Sequence, residues 1–325
     1  MSFGNEGNDS DLRAPFPWFG GKRRAADLIW QRLGNPSVYL EPFAGSLAAL
    51  LCRPIPPHVD ATGLVETVND LDGYVVNAWR SIAWHPEETS KHADWPVTEL
   101  DLHARHDWLL SRRESIAERL REDPEWCDPR AAGWWIWGAC AWIGSGWCAT
   151  RSRKLPHLGN TGRGVHARGS RQLPHLSDTG VGVHARSDRL DFRPLSARLR
   201  RTRVTCGDWR RILTRAGSTA VLRKGSPTGE PVVGVLFDPP YDGHESVYAE
   251  SGAVAADVVE WCAKHGCKAE WRIVLCGYGE MPAALAAQGW IEDRWKALGG
   301  YANDTTRERL WCSPSCLGLR QERLL

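Results

Sequence analysis

Short apolar runs alternate with helix-period segments over much of the chain. In PFPWFGGKRRAADLIWQRL an extended entry meets a Gly-Gly turn, after which Ala26, Ile29, Trp30 and Leu33 recur at the spacing of one helix face. SVYLEPFAGSLAALLCR reads as strand, acidic tip, glycine turn and helix. GLVETVNDLDGYVVNAWRSI repeats that order, its strand ending at Asn69 and Asp70. Regular α/β structure resumes at VTCGDWRRIL, passes through VLFDPPY, and ends with WRIVLCGYG and ERLWCSP as further strands. Strand, turn and helix repeated in this way predict an open parallel sheet, whose ligands bind beyond the carboxyl ends of the strands.

The texture changes between about 91 and 203. TELDLHARHDWLLSRRESIAERL is helical and highly charged, and six tryptophans fall between Trp126 and Trp147, interleaved with Ala and Gly as in a packed core. LPHLGNTGRGVHAR (155 to 168) then returns as LPHLSDTGVGVHAR (173 to 186) with three of fourteen positions changed. Pro, Gly-x-Gly and Val-His in each unit suggest two loop or hairpin elements rather than helices. The expected organisation is a disordered stretch at 1–14, a catalytic α/β domain from 15–90 and 204–325, and an insertion at 91–203.

Charge sharpens this division. The chain of 325 residues carries a net charge of +2, yet residues 151 to 203 hold 13 Lys and Arg against 3 Asp. A segment with so few compensating acids suits a polyanion. The ten cysteines are scattered, with Cys312 and Cys316 the one close pair near the end, so reduced, mostly buried thiols are expected rather than a zinc site. Four histidines recur at 157, 166, 175 and 184, without a cysteine or second acid at fixed spacing, and no metal is expected there either. No apolar run is long enough to span a bilayer, and the N-terminal segment is polar, so a cytoplasmic protein without membrane contact is expected.

The most unusual stretch is VLFDPPY. Val235, Leu236 and Phe237 read as the end of a buried strand, which Pro239 and Pro240 cannot continue because they lack an N–H and fix φ. Asp238 and Tyr241 are therefore held at a strand tip. Taken alone, the four residues Asp-Pro-Pro-Tyr suit a simple turn equally well.

Four pieces in order, PWFGGKRR, YLEPFAGSL, TVNDLDGYVVNAW and FDPPY, closely resemble the motif series of the DNA adenine methylase family. The resemblance covers about 15 to 90 and 200 to 315. It implies a Rossmann-like methyltransferase sheet with helices on both faces, and an inserted, helical and hairpin-like target-recognition domain. It implies transfer of a methyl group from S-adenosylmethionine to the exocyclic amine of adenine in DNA, with the base flipped out of the duplex. Trp18, Gly20, Gly21 and Lys22 match the family residues that hold the cofactor's methionine end. Glu41, Pro42, Phe43 and Gly45 match those of the first strand motif, Asp70 the acid on the ribose, and Asp208 and Trp209 the segment against the cofactor's adenine. The chain departs from the family at Leu47, where a second glycine is usual, while Gly45 remains at the turn itself.

Asp238, Pro239, Pro240 and Tyr241 match the family's catalytic motif, and elementary chemistry fits them to it. Adenine's amino nitrogen is a poor nucleophile because its lone pair is delocalised into the ring. Acceptors on its two N–H groups, the Asp238 carboxylate and the Pro239 carbonyl, favour a tetrahedral nitrogen aimed at the methyl, and Tyr241 offers a face for the extruded base. Double-stranded DNA is the expected partner, with Arg151, Arg153, Lys154, Arg163, Arg168, Arg171 and Arg186 on its phosphates and base edges. A monomer or weak dimer is expected, in a bacterial cell or phage-infected host and in the setting of restriction and modification. Two alternatives remain open: a cytosine-N4 methyltransferase, which needs the same two acceptors, and a non-catalytic nucleic-acid binder on a methyltransferase scaffold.

Overall fold

The computed structural model describes residues 12–18, 20–55, 64–142, 147–148, 190–216, 232–240, 251–294 and 308–318. The seven strands among them are β1 (Val38–Glu41), β2 (Val65–Asp70), β3 (Thr202–Cys206), β4 (Val233–Phe237), β5 (Trp271–Tyr278), β6 (Ile291–Arg294) and β7 (Glu308–Cys312). The helices are α1 (Ala26–Leu33), α2 (Ala48–Leu51), α3 (Gly73–Trp84), α4 (Pro86–Ala93), α5 (Glu99–Glu122), α6 (Pro129–Ala141), α7 (Arg193–Leu199), α8 (Leu213–Ala216), α9 (Ser251–His265) and α10 (Ala283–Ala286). The strands form one sheet in the order β3-β2-β1-β4-β5-β7-β6. β2, β1, β4 and β5 run parallel, whereas β7 is antiparallel to both β5 and β6. The mixed α/β architecture and mostly parallel sheet agree with the expected class and are compatible with a Rossmann-like fold.

Compactness divides the chain elsewhere than at 91 and 203. One unit comprises 1–11, 20–68 and 209–325, and the other 12–19 and 69–208. α3 and α4, expected with the catalytic domain, thus group with the helices that follow them.

In the first unit every residue of β1 and β4 is buried, as for strands covered on both faces. Val38, Leu40, Val233, Val235, Phe237, Ile273 and Leu275 share one apolar cluster with Val258 and Cys262 of α9 and with Trp271, Trp290 and Trp311. Ala26, Ile29, Trp30 and Leu33 are the buried residues of α1, as their spacing predicts. Gly234 is needed in β4 because a Cβ there would lie 2.6 Å from Pro36 Cγ.

The turn after β1 carries two residues in the left-handed region, Gly45 at φ 46° and Leu47 at φ 53°. Leu47, where the sequence departs from the motif it resembles, takes the backbone conformation a glycine adopts without strain. That conformation costs a leucine roughly 1–2 kcal/mol, and burial offsets it, for Leu47 is fully buried. Leu47→Gly should therefore lower stability by about 2 kcal/mol, since truncating a buried leucine costs about 2–5 kcal/mol and relief of strain returns only part. Urea unfolding measures this, and an unchanged or raised midpoint would mean that strain outweighs packing.

The second unit is tied together by α3. Arg80 donates to the carbonyls of Val204 at 2.9 Å, Leu120 at 3.1 Å, Asp123 at 2.9 Å and Trp126 at 3.1 Å, so its guanidinium serves the carboxyl end of α5 where the helix dipole favours a cation. Asn77 and the backbone of Asp128 exchange two hydrogen bonds, and Asp128 in turn caps α6 through Ala131 N–H. Trp79, Trp135 and Trp137 are core residues. Trp108 and Trp134 are half-buried under guanidinium groups, Arg112 lying 4.1 Å from the Trp108 ring and Arg130 5.0 Å from that of Trp134. The core reading of the tryptophans thus holds for some and not for others. All ten cysteines have free thiols, six of them buried. No helix among the described residues is long and apolar enough to cross a membrane.

Candidate functional site

The sheet order reverses direction between β1 and β4, the position at which open α/β sheets leave a crevice beyond their strand ends. β1 ends on Glu41 and β4 runs directly into Asp238, so each of these two neighbouring strands delivers a carboxyl group there. Burial of Val233–Phe237 fixes the end of β4, and Pro239 and Pro240 stop the ladder so that Asp238 leaves it at a defined point.

Lys22 opens the short 3-10 turn Lys22–Ala25 behind Gly20 and Gly21. Gly20, at φ 78°, turns its carbonyl back toward the side chain, and Lys22 Nζ donates to that oxygen at 2.7 Å. The ammonium also lies 2.8 Å from Asp238 Oδ2 and 2.8 Å from Glu308 Oε1. The lysine is 3% exposed. Burial opposes its charge, but the carboxylates of Asp238 and Glu308 outweigh burial and hold the ammonium above its ordinary range.

Glu41 is in the reverse situation. Burial, assisted by the nearby Asp238 and Glu66 carboxylates, pushes its pKa up to about 8 although Tyr39 Oη donates to Oε2 at 3.0 Å. This carboxyl therefore holds its proton to higher pH than an ordinary glutamate does. Glu66 itself is claimed by Arg53, 3.0 Å away and buried with it.

Phe43 stands half-buried beside this cluster, its ring 6.0 Å from Trp209 and 6.5 Å from Phe237. Trp209, matched by resemblance to the adenine-contacting segment, is itself a core residue, 5% exposed and edge-on to Phe237 at 5.8 Å. Pro42 and Gly45 are buried in the turn after β1.

In the second unit Asp70 and Asp208 lie at the tips of β2 and β3. Gly207 N–H donates to the Asp70 carbonyl at 3.0 Å, and Asn69 Nδ2 donates to the Gly207 carbonyl at 2.9 Å. Asp70 Oδ1 accepts from Asp72 N–H at 2.9 Å, and the exposed Leu71 stands between them. Trp18 also belongs to this unit. It is half-buried, its ring 6.2 Å from that of Phe16, which packs on Trp79 and Trp135.

The first unit therefore unites Gly20, Lys22, Glu41 and Asp238, and the second brings the Asp70 carbonyl against Gly207, the residue before Asp208. Tyr241 and the basic residues Arg151, Arg153, Lys154, Arg163, Arg168, Arg171 and Arg186 lie outside the described residues, as do the four repeated histidines. The sequence reading missed Glu308, together with Cys276 and Tyr278 of β5, whose thiol and phenol are near enough to Lys22 to feel its charge. It also missed the pairing of Lys22 with Asp238. Compared with protein-family models and with curated proteins, the chain matches none.

Proposed function

We propose that the protein is a DNA methyltransferase that places a methyl group on the exocyclic amine of adenine. The reading rests on one observation above all: the acid that leaves β4 before two prolines sits at the sheet's reversal point, held by a buried lysine. S-adenosylmethionine, the cofactor implied by the resemblance, supplies an electrophilic methyl on a sulfonium. The residues present suit that group, because Gly45 carries the chain round the tip of β1 and the cluster beyond it is acid-rich. With Lys22 charged and Asp238 and Glu308 ionised, the formal charge of that trio is −1. Such a charge favours a sulfonium and the positive charge that develops on an attacking amine, rather than the cofactor's own carboxylate. In this reading Lys22 serves Asp238 first.

Asp238 and the Pro239 carbonyl accept from the two N–H groups of the flipped base. S-adenosylmethionine, when bound, would supply the methyl as an electrophile, and Asp238 would take up, directly or through water, the proton that the methylated amine gives up. Phe43, in the turn after β1, is half-buried with its ring 6.5 Å from that of Phe237. The basic stretch of 151–186 supplies the DNA contacts that its charge recommends.

The test is direct. Tritium-labelled S-adenosylmethionine and DNA are incubated with the protein, the DNA is digested to nucleosides, and the label should elute with N6-methyladenosine of the deoxy series. Label in N4-methylcytosine would move the protein to the alternative amine, and no label in any base would remove the enzymatic reading.

A further inference from the structure

We propose that Glu308 is a positioning residue for the strand-tip acid: it anchors the Lys22 ammonium, and the anchored ammonium fixes the rotamer of Asp238. What the fixed acid then does rests on the methyltransferase reading, whereas the fixing itself rests on geometry. β4 and β5 are parallel, with Phe237 opposite Leu275, so both end on the same edge of the sheet. β7 runs the other way, with its first residue, Glu308, opposite Tyr278 near the end of β5. The reversed strand thus starts where the parallel strands finish, and a carboxylate from a distant part of the sequence arrives beside Asp238.

The burial of the partners gives each a different task. Glu308 has a side chain 7% exposed and Asp238 one 21% exposed, with Lys22 between them at 2.8 Å from each. An ammonium offers three N–H donors and no acceptor on a stem of four carbons, so a single carboxylate would not determine its direction. The hydrogen bond to the Gly20 carbonyl and the ion pairs with Glu308 and Asp238 together do. The inner carboxylate holds the lysine, and the lysine holds the outer one, which is the one open to a substrate. Burial raises the Glu308 carboxyl while Lys22 opposes the rise, so each ion of the pair maintains the other. Among the described residues, Cys276 and Tyr278 from β5 and Glu41 from β1 are the other titratable groups around the trio.

Glu308→Gln removes the anchor's charge and keeps its shape. Two measurements decide the matter. In protein labelled with 15N at lysine side chains, and with Lys22→Met to assign the signal, the Lys22 ammonium should show slow proton exchange at neutral pH, and Glu308→Gln should speed it at least about 10-fold by loosening a buried ion pair. In methyl transfer the same variant should lose turnover at least about 10-fold with cofactor KM changed less than about 2-fold, because misplacement of a catalytic group costs rate rather than binding. Unchanged ammonium exchange overturns the proposal. So does faster exchange with wild-type turnover, which would show that the acid needs no anchor. If Glu308→Gln does not fold, Glu308→Asp keeps the charge, withdraws the carboxylate by one methylene, and must show both effects. If the wild-type protein transfers no methyl group, the enzymatic reading falls, while exchange at Lys22 still reports whether Glu308 holds it.

Discussion

Asp238→Ala should lower turnover at least about 100-fold while leaving cofactor affinity within about 3-fold of wild type, because it removes an acceptor that matters most as charge develops on the amine. The structure explains why this substitution can be made without losing the fold. Lys22 keeps the Glu308 carboxylate and the Gly20 carbonyl when Asp238 is gone, so no buried cation is left without a partner. Single-turnover rates at saturating cofactor and DNA, with calorimetric titration of the cofactor, separate the two quantities. Turnover near that of wild type would return Asp-Pro-Pro to the status of a turn, and a large loss of cofactor affinity would place Asp238 in the cofactor's own pocket.

Removal of the lysine should act in the opposite way. Lys22→Met keeps the stem and deletes the charge that lies 2.8 Å from both the Asp238 and the Glu308 carboxylates. Breaking a buried pair from one side costs about 3–5 kcal/mol, and a loss of that order is expected in urea unfolding at pH 8. The dependence on pH follows from the direction of the carboxyl shifts. Glu308 is already raised by burial with Lys22 opposing the rise, so loss of Lys22 raises it further. A carboxyl whose folded pKa lies above its unfolded value binds protons more tightly in the folded state, so stability falls as pH rises from the unfolded value to the folded one. The deficit of Lys22→Met should therefore be largest at pH 8 and shrink toward pH 5. An equal deficit at both values, or one below about 1 kcal/mol, would show that the carboxylates find other partners.

Much of the α/β frame was legible because its signals are local. Apolar runs such as VLF and IVL need only burial on both faces to become parallel strands, and the prolines after Asp238 end β4 whatever surrounds it. Gly-Gly before Lys22 and Gly45 after β1 announce turns for the same local reason, and the departure at Leu47 proved to be a leucine in a glycine's conformation. The unit boundary was not legible. It depends on Arg80 of α3 reaching the carbonyls at the end of α5 and that of Val204 in β3, and an arginine on a helix gives no sign of which carbonyls it will meet.

The chain's local pattern was enough to determine that an acid would stand at a strand tip before two prolines and that a lysine would follow a glycine turn, because steric limits on proline and glycine act within a few residues. Tertiary structure alone decided that this lysine and this acid meet, that burial raises the carboxyl of Glu41 beside them, and that Glu308 completes the trio. Those outcomes depend on strand order and on the reversed direction of β7, which bring together residues far apart in sequence, and on burial, which turns ordinary charges into strongly coupled ones.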